Sequence, residues 1–124
     1  MDARKIQRLA GATLDGSMPF PSIVGELLAQ GVEYYHVDYA ERSFTFYGAD
    51  GSTIAAPLQY EGLPAISAQW DAAALKAAIV DSQQHGQKFR QFCERAMNAG
   101  VQGYFAFLQG RRVTYLGRNG DHHV

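Results

Sequence analysis

Two stretches decide how this chain reads: GVEYYHVDYAERSFTFYGADG, residues 31–51, and GVQGYFAFLQGRRVTYLGRNG, residues 100–120. They align without a gap at a constant offset of 69 residues. Tyr35 falls on Tyr104, Arg42 on Arg111, Thr45 on Thr114, Gly48 on Gly117 and Gly51 on Gly120, while Phe46 meets Tyr115 and Asp50 meets Asn119. Self-similarity at a fixed offset marks a supersecondary unit used twice, and it predicts two halves related by an internal pseudo-twofold.

Each stretch follows a pair of helical patterns. In the first half Ile6, Leu9, Ala10 and Thr13 form one stripe from about Ala3 to Leu14, and Gly16 and Pro19 end it. Phe20-Pro21 opens a second helix carrying Ile23, Val24, Leu27 and Leu28, since proline is tolerated in a first turn. In the second half Asp71 caps a helix with Leu75, Ala78, Ile79 and Ser82. After His85-Gly86, another helix runs from about Gln87 to Ala99 with Phe89, Phe92, Cys93, Ala96 and Met97. The offset joins Ile6 to Leu75, Ala10 to Ile79 and Phe20 to Phe89. Gly31 and Gly100 stand where helix C-caps of positive φ belong.

The Val-, Tyr- and Phe-rich run Val32–Tyr47 is a hairpin turning near Ala40-Glu41, and its counterpart turns at Gln109-Gly110. GADG and GRNG read as glycine turns, because they lack the strand, glycine loop and helix order of a phosphate-binding loop. Thr53–Leu58 reads as a short third strand, confined to an edge by Pro57, and Gln59–Gln69 as a loop. The pattern is α+β: two ααββ units, about residues 2–58 and 71–124, in one domain, forming one antiparallel sheet with helices on one face. Strand alternation puts Tyr35, Val37, Tyr39, Tyr104, Ala106 and Leu108 on the helix-covered face. Tyr34, His36 and Asp38 then share the opposite face with Gly103, Phe105 and Phe107. That face is polar in one half and aromatic in the other.

Composition narrows the function classes. A chain of 124 residues, 47% apolar, is long enough to bury a real core. A net charge of −1 supplies no basic field for nucleic acid. Cys93 is alone and fits a reducing compartment. The N-terminus lacks a continuous apolar signal region, and no apolar run reaches a membrane span of about 20 residues. The expected location is the cytoplasm, with no membrane partner.

PFP near Met18–Pro21, GVEYYHVDY, the helix end AAIVDSQQ and the long run FCERAMNAGVQGYFAFLQGRRVTYLGRNGDHHV resemble a family of short bacterial proteins of unknown function typified by YbcV. A phage envelope label also attaches to that family and implies at most an origin. The resemblance brings no substrate and no catalytic residues. It implies members that run a few residues past the His-Val pair, through an acidic residue and a Phe-Pro.

Each candidate site also has a structural role open to it. His36 and Asp38 lie two apart on a strand and, with Asp121, His122 and His123, offer the imidazole and carboxylate ligands that zinc or iron accepts. Alternating polar residues are also what a solvated sheet face shows, and no zinc spacing is present, so no metal and no cofactor is expected. His122-His123 reads as an exposed tail, and His85 as a helix terminus. Cys93 paired with His36 is a conceivable nucleophile, yet it sits among apolar helical positions and reads as a small hydrophobe. Arg111, Arg112 and Arg118 around Tyr115 form a basic-aromatic group, which could hold phosphate or a single strand. The recurrence of Arg42 as Arg111 favours a role in the hairpin, with the long side chain shielding apolar surface.

The leading functional reading is a non-catalytic binding or protein-interaction module, with a protein, small molecule or second copy of the chain as partner. Its expected contacts are Tyr34, His36, Asp38, Phe105, Phe107 and Arg118. The alternative is a small enzyme or metal-dependent protein using His36, Asp38 and Asp121–His123. Nucleic-acid binding ranks last.

Overall fold

The computed structural model describes all 124 residues. Its first half runs α1 (Ala3–Asp15), α2 (Phe20–Ala29), β1 (Val32–Asp38), β2 (Ser43–Gly48) and β3 (Thr53–Pro57). Its second half runs α3 (Ala72–Gln84), α4 (Phe89–Asn98), β4 (Val101–Phe107), β5 (Arg112–Gly117) and β6 (His122–His123). Every element of the second half begins 69 residues after its counterpart. The caps follow the same offset: the Asp2 carboxylate accepts from the backbone N–H of Arg4, and that of Asp71 from Ala74, both at 3.0 Å. Each satisfies an orphan donor of a first helical turn.

One six-stranded antiparallel sheet joins the halves in the order β3-β2-β1-β4-β5-β6. At its centre Tyr34 pairs with Phe107, Tyr35 with Ala106, His36 with Phe105, Val37 with Tyr104 and Asp38 with Gly103. Exchanging the halves by the offset maps this set of pairs onto itself and maps His36–Phe105 onto the same pair reversed. The local twofold of the sheet therefore passes between His36 and Phe105. Outside the centre, both hairpins carry a register shift after their first residue, at Val32/Tyr34 and Val101/Gly103.

The helices pack on one face. Twenty-five buried residues form one cluster drawn from both halves: Ile6, Leu9, Ile23 and Leu27 meet Leu75, Phe92 and Met97 over Tyr35, Val37, Phe44, Tyr104 and Ala106. Tyr35, Val37 and Tyr104 are on the helix-covered side, as alternation predicts, and Leu108 packs at its margin. One polar atom is stranded there: the Tyr39 hydroxyl is buried without a hydrogen-bond partner.

Three expectations are corrected. His122-His123 is not a tail but the two-residue edge strand β6, and it pairs with β5 where β3 pairs with β2. The fourth helix starts at Phe89 rather than Gln87, because the Gln87 amide donates to Ala78 O and Ser82 Oγ and ties this linker to α3. Arg111, Arg112, Arg118 and Tyr115 do not gather: Tyr115 points into the core, and Arg118 donates to Ile66 O. Arg42 and Arg111 do act in the hairpins, through the backbone. They close the two four-residue turns with φ of 58° and 53°, a left-handed conformation costly to a residue with a Cβ.

Two predictions follow from the backbone. Arg42→Gly and Arg111→Gly should each stabilise the protein, by about 1 kcal/mol, because glycine enters the left-handed region without strain; a loss of stability in urea titration at both positions would refute this. Gly31 and Gly100 have φ of 84° and 97°. A Cβ at Gly31 meets open space, whereas one at Gly100 stands 2.4 Å from the Gln69 carbonyl oxygen. Gly31→Ala should cost about 1 kcal/mol and Gly100→Ala clearly more, so equal unfolding midpoints for the two variants would contradict the clash.

Candidate functional site

The face of the sheet turned away from the helices carries the side chains of three rows. The central row is Ala55, Thr45, His36, Phe105 and Thr114, taken across β3, β2, β1, β4 and β5. Beside it lies Thr53, Tyr47, Tyr34, Phe107 and Arg112, and on the other side Pro57, Ser43, Asp38, Gly103, Leu116 and, from β6, His122. Alternation along each strand puts them here, since their neighbours in sequence fill the core.

Five rings make a continuous array on this face. Tyr47 stacks on Tyr34 with centroids 4.5 Å apart, Tyr34 lies 5.6 Å from Phe107, Phe107 stacks on Phe105 at 5.9 Å, and Phe105 stacks on His36 at 4.3 Å. All five are half-buried, and each is shielded on its flanks by the next ring. Their outer edges stay open. Gly103 completes the relief. A Cβ there would stand 2.4 Å from Val37 O and 3.2 Å from His36 Nε2, so only glycine lets the imidazole lean across the row. The array therefore covers the Tyr47–Tyr34–Phe107 row and the central His36–Phe105 pair, and the His36 ring lies against Gly103.

The electrostatics are quiet. Burial lowers the pKa of His36 from 6.5, against the opposing pull of Asp38 and Glu41. The ring is thus a neutral stacking partner near pH 7. Asp38 is engaged in its own turn: one carboxylate oxygen accepts from Ala40 N–H at 2.9 Å and Glu41 N–H at 3.0 Å.

Of the residues singled out in the sequence, Tyr34, His36, Asp38, Phe105 and Phe107 come together on β1 and β4. Arg118 does not join them. It lies beyond the end of β5, in a shallow cleft of about 520 Å³ with Ala40, Ile66, Gln102 and Gly117. The proposed metal ligands are scattered. β6 stands three strands from β1, roughly 14 Å away, and His122 and His123 point to opposite faces. No three His, Cys, Asp or Glu side chains are placed to hold a metal ion. Cys93 is fully buried beneath the opposite face, where desolvation pushes its thiol up to about 12. It is a packing residue rather than a thiolate. Tyr47, Thr45 and Thr114 were missed as members of the face, although the same alternation on β2 and β5 marks them.

A polar cluster lies elsewhere, between α3 and α4. Arg95 Nη1 reaches Asp81 at 2.6 Å and Gln87 Oε1 at 2.8 Å, and His85 Nδ1 lies 3.2 Å from Asp81. Its groups partner one another and lock the helix junction. No helix is long and apolar enough to cross a membrane.

Residues 13–122 match the family described as protein of unknown function, DUF1398, and the chain belongs to that family. It matches none of the curated proteins.

The imidazole tests the electrostatic account. Because the folded pKa of His36 is lowered, its contribution to stability is present above pH 6.5 and is lost as pH falls through the folded pKa. Asp38→Asn keeps the turn acceptor but removes the charge, so the His36 pKa read by NMR titration should fall further. A rise in that variant would overturn the assignment of Asp38 as the opposing charge.

Proposed function

We propose that this member of a family of unknown function is a non-catalytic binding module whose contact surface is the open face of the sheet. One observation carries the reading: five rings form a continuous half-buried array on a face that no core residue shares. Aromatic anchors with little charge around them are the composition of interface cores. Across the three rows only Arg112 and Asp38 are formally charged, so the surface suits a protein or an uncharged ligand better than a polyanion. A catalytic role would need a general base with a partner or an activated nucleophile. His36 has a ring face in contact with Phe105, Asp38 caps a turn, and Cys93 is enclosed.

The stretches GVEYYHVDY and VQGYFAFLQG, which carry the resemblance to YbcV, are β1 and β4 with their turn residues. The same surface is expected in those proteins. A cytoplasmic setting suits a chain whose one cysteine is a free thiol in the core.

The reading is tested by a photoreactive benzoylphenylalanine placed at Thr114, on the open face, or at Lys76, on the exposed side of α3, and irradiated in cells. Adducts at Thr114 that vanish with Phe107→Asp, and none at Lys76, are the expected result. Absence of any adduct at Thr114, or adducts indifferent to Phe107→Asp, would remove the open face as the contact surface.

A further inference from the structure

We infer that the outer edge of β5 is a docking edge for an extended segment of a partner polypeptide, one that carries apolar residues at alternate positions. The internal repeat carries the inference, because the first half of the molecule holds such a segment in the equivalent place. The edge lies apart from the open face, and neither reading depends on the other.

The first half is closed on its flank. β3 pairs with β2 from Ser43–Pro57 to Tyr47–Thr53, and the Leu58 N–H continues the ladder to Arg42 O at 2.9 Å. Alternation turns Ala56 and Leu58 inward, and both are buried with Phe44. Tyr60 packs beside them, its ring 6.3 Å from Phe89, which in turn stacks on Phe44 at 6.2 Å. α1 holds the strand as well: Gln7 Nε2 donates to Ala55 O at 3.3 Å.

The second half repeats the frame without the full strand. β6 pairs only with Tyr115 and Leu116, so no strand pairs with the outer side of Arg112–Thr114. By the offset from Arg42 and Phe44, the C=O of Arg111 and both the N–H and the C=O of Val113 face outward along that side. The apolar side chains are uncovered to match. Val113 is half-buried where its counterpart Phe44 is buried, and Ile79 is half-buried where its counterpart Ala10 is buried. Phe20, the counterpart of Phe89, is 55% exposed. An unpaired edge is a template for an added strand. In that mode of recognition the main chain supplies affinity and the pockets for alternate side chains supply specificity.

The first half also states the chemistry of the occupant. It runs antiparallel to β5, with a small apolar residue opposite Val113, as Ala56 stands opposite Phe44. A larger aliphatic residue follows two places on, as Leu58 does, and an aromatic two places further, as Tyr60 does. Proline fits between the first two, as Pro57 shows, because an N–H there points away from the ladder. A second copy of this chain does not lend its own segment of this pattern, since Thr53–Pro57 is already paired with β2.

The test titrates the isotope-labelled full chain with an acetylated and amidated peptide of residues 53–60, TIAAPLQY, followed by NMR. The expected result is amide shifts confined to Arg111–Thr114 and Phe20, with slower solvent exchange at the Val113 N–H. The same peptide with Asp in place of Ala56 and Leu58 should leave the spectrum unchanged. Val113→Pro removes the outward donor and should weaken binding roughly tenfold, the loss of one hydrogen bond. Phe20→Ser, which changes an exposed ring, should weaken it by a similar factor and decides the matter if Val113→Pro does not fold. No shift along Arg111–Thr114 at millimolar peptide overturns the inference. Equal binding of the Asp-bearing peptide overturns it too, as does full affinity in folded Phe20→Ser.

Discussion

Antiparallel pairing of β1 with β4 is the constraint on which the rest of the structure depends. Each half alone would be a three-stranded sheet edge with two helices, and its hydrophobic residues would be covered on one flank only. Joining the two inner strands makes one sheet wide enough for four helices to share a single cluster of buried side chains. The register of that seam then sets everything on the open face. Side chains alternate with period 2, so a slip by one residue would send Tyr35, Val37, Tyr104 and Ala106 outward and Tyr34, His36, Phe105 and Phe107 into the core. Burial of the first set, to 6% exposure or less, holds the register and displays the second set.

The seam also explains how one backbone plan carries two chemistries. Residues related by the offset occupy matching backbone positions, yet on the open face Tyr34 answers to Gly103, His36 to Phe105 and Asp38 to Phe107. On the buried face the matches are conservative in kind, with Tyr35 against Tyr104 and Val37 against Ala106. The core tolerates little divergence because volume is fixed there. The open face is free of that limit, and large residues of one half have come to stand beside small residues of the other. His36 leaning over Gly103 is the clearest case: glycine at 103 makes the space that the imidazole uses.

How much of this was legible in the sequence depends on whether a feature is local. Helix positions, the glycine caps, the Asp71 cap and the two faces of each strand follow from periodicity and turn chemistry, and the structure has them. The edge position of β3 followed from Pro57. The short strand β6 was not legible, because His-His beside a chain end carries no strand signal; only the offset from Thr53 to His122 marks it. Arg42 and Arg111 read in the sequence as side-chain devices, since nothing in a lone Arg announces positive φ where Gly or Asn is usual. Long-range pairing is the deepest gap. Periodicity placed Phe105 and His36 on one face of their strands, but not side by side, because the partner of a strand is chosen by global packing.

The same distinction decides what the face is suited to do. Catalysis in a chain of this size asks for a polar group held at a pKa useful for proton transfer, with a partner that orients it. The titration of His36 is displaced first by desolvation, with its ring stacked on Phe105. Desolvation of that kind favours the neutral ring, and covering the face further would strengthen it. A ligand or partner laid over the array would therefore bind most readily with His36 unprotonated, and protonation would leave a charge beneath an apolar contact. The group that most resembles a catalytic residue is thus, in this setting, a neutral stacking surface beside the local twofold of the sheet.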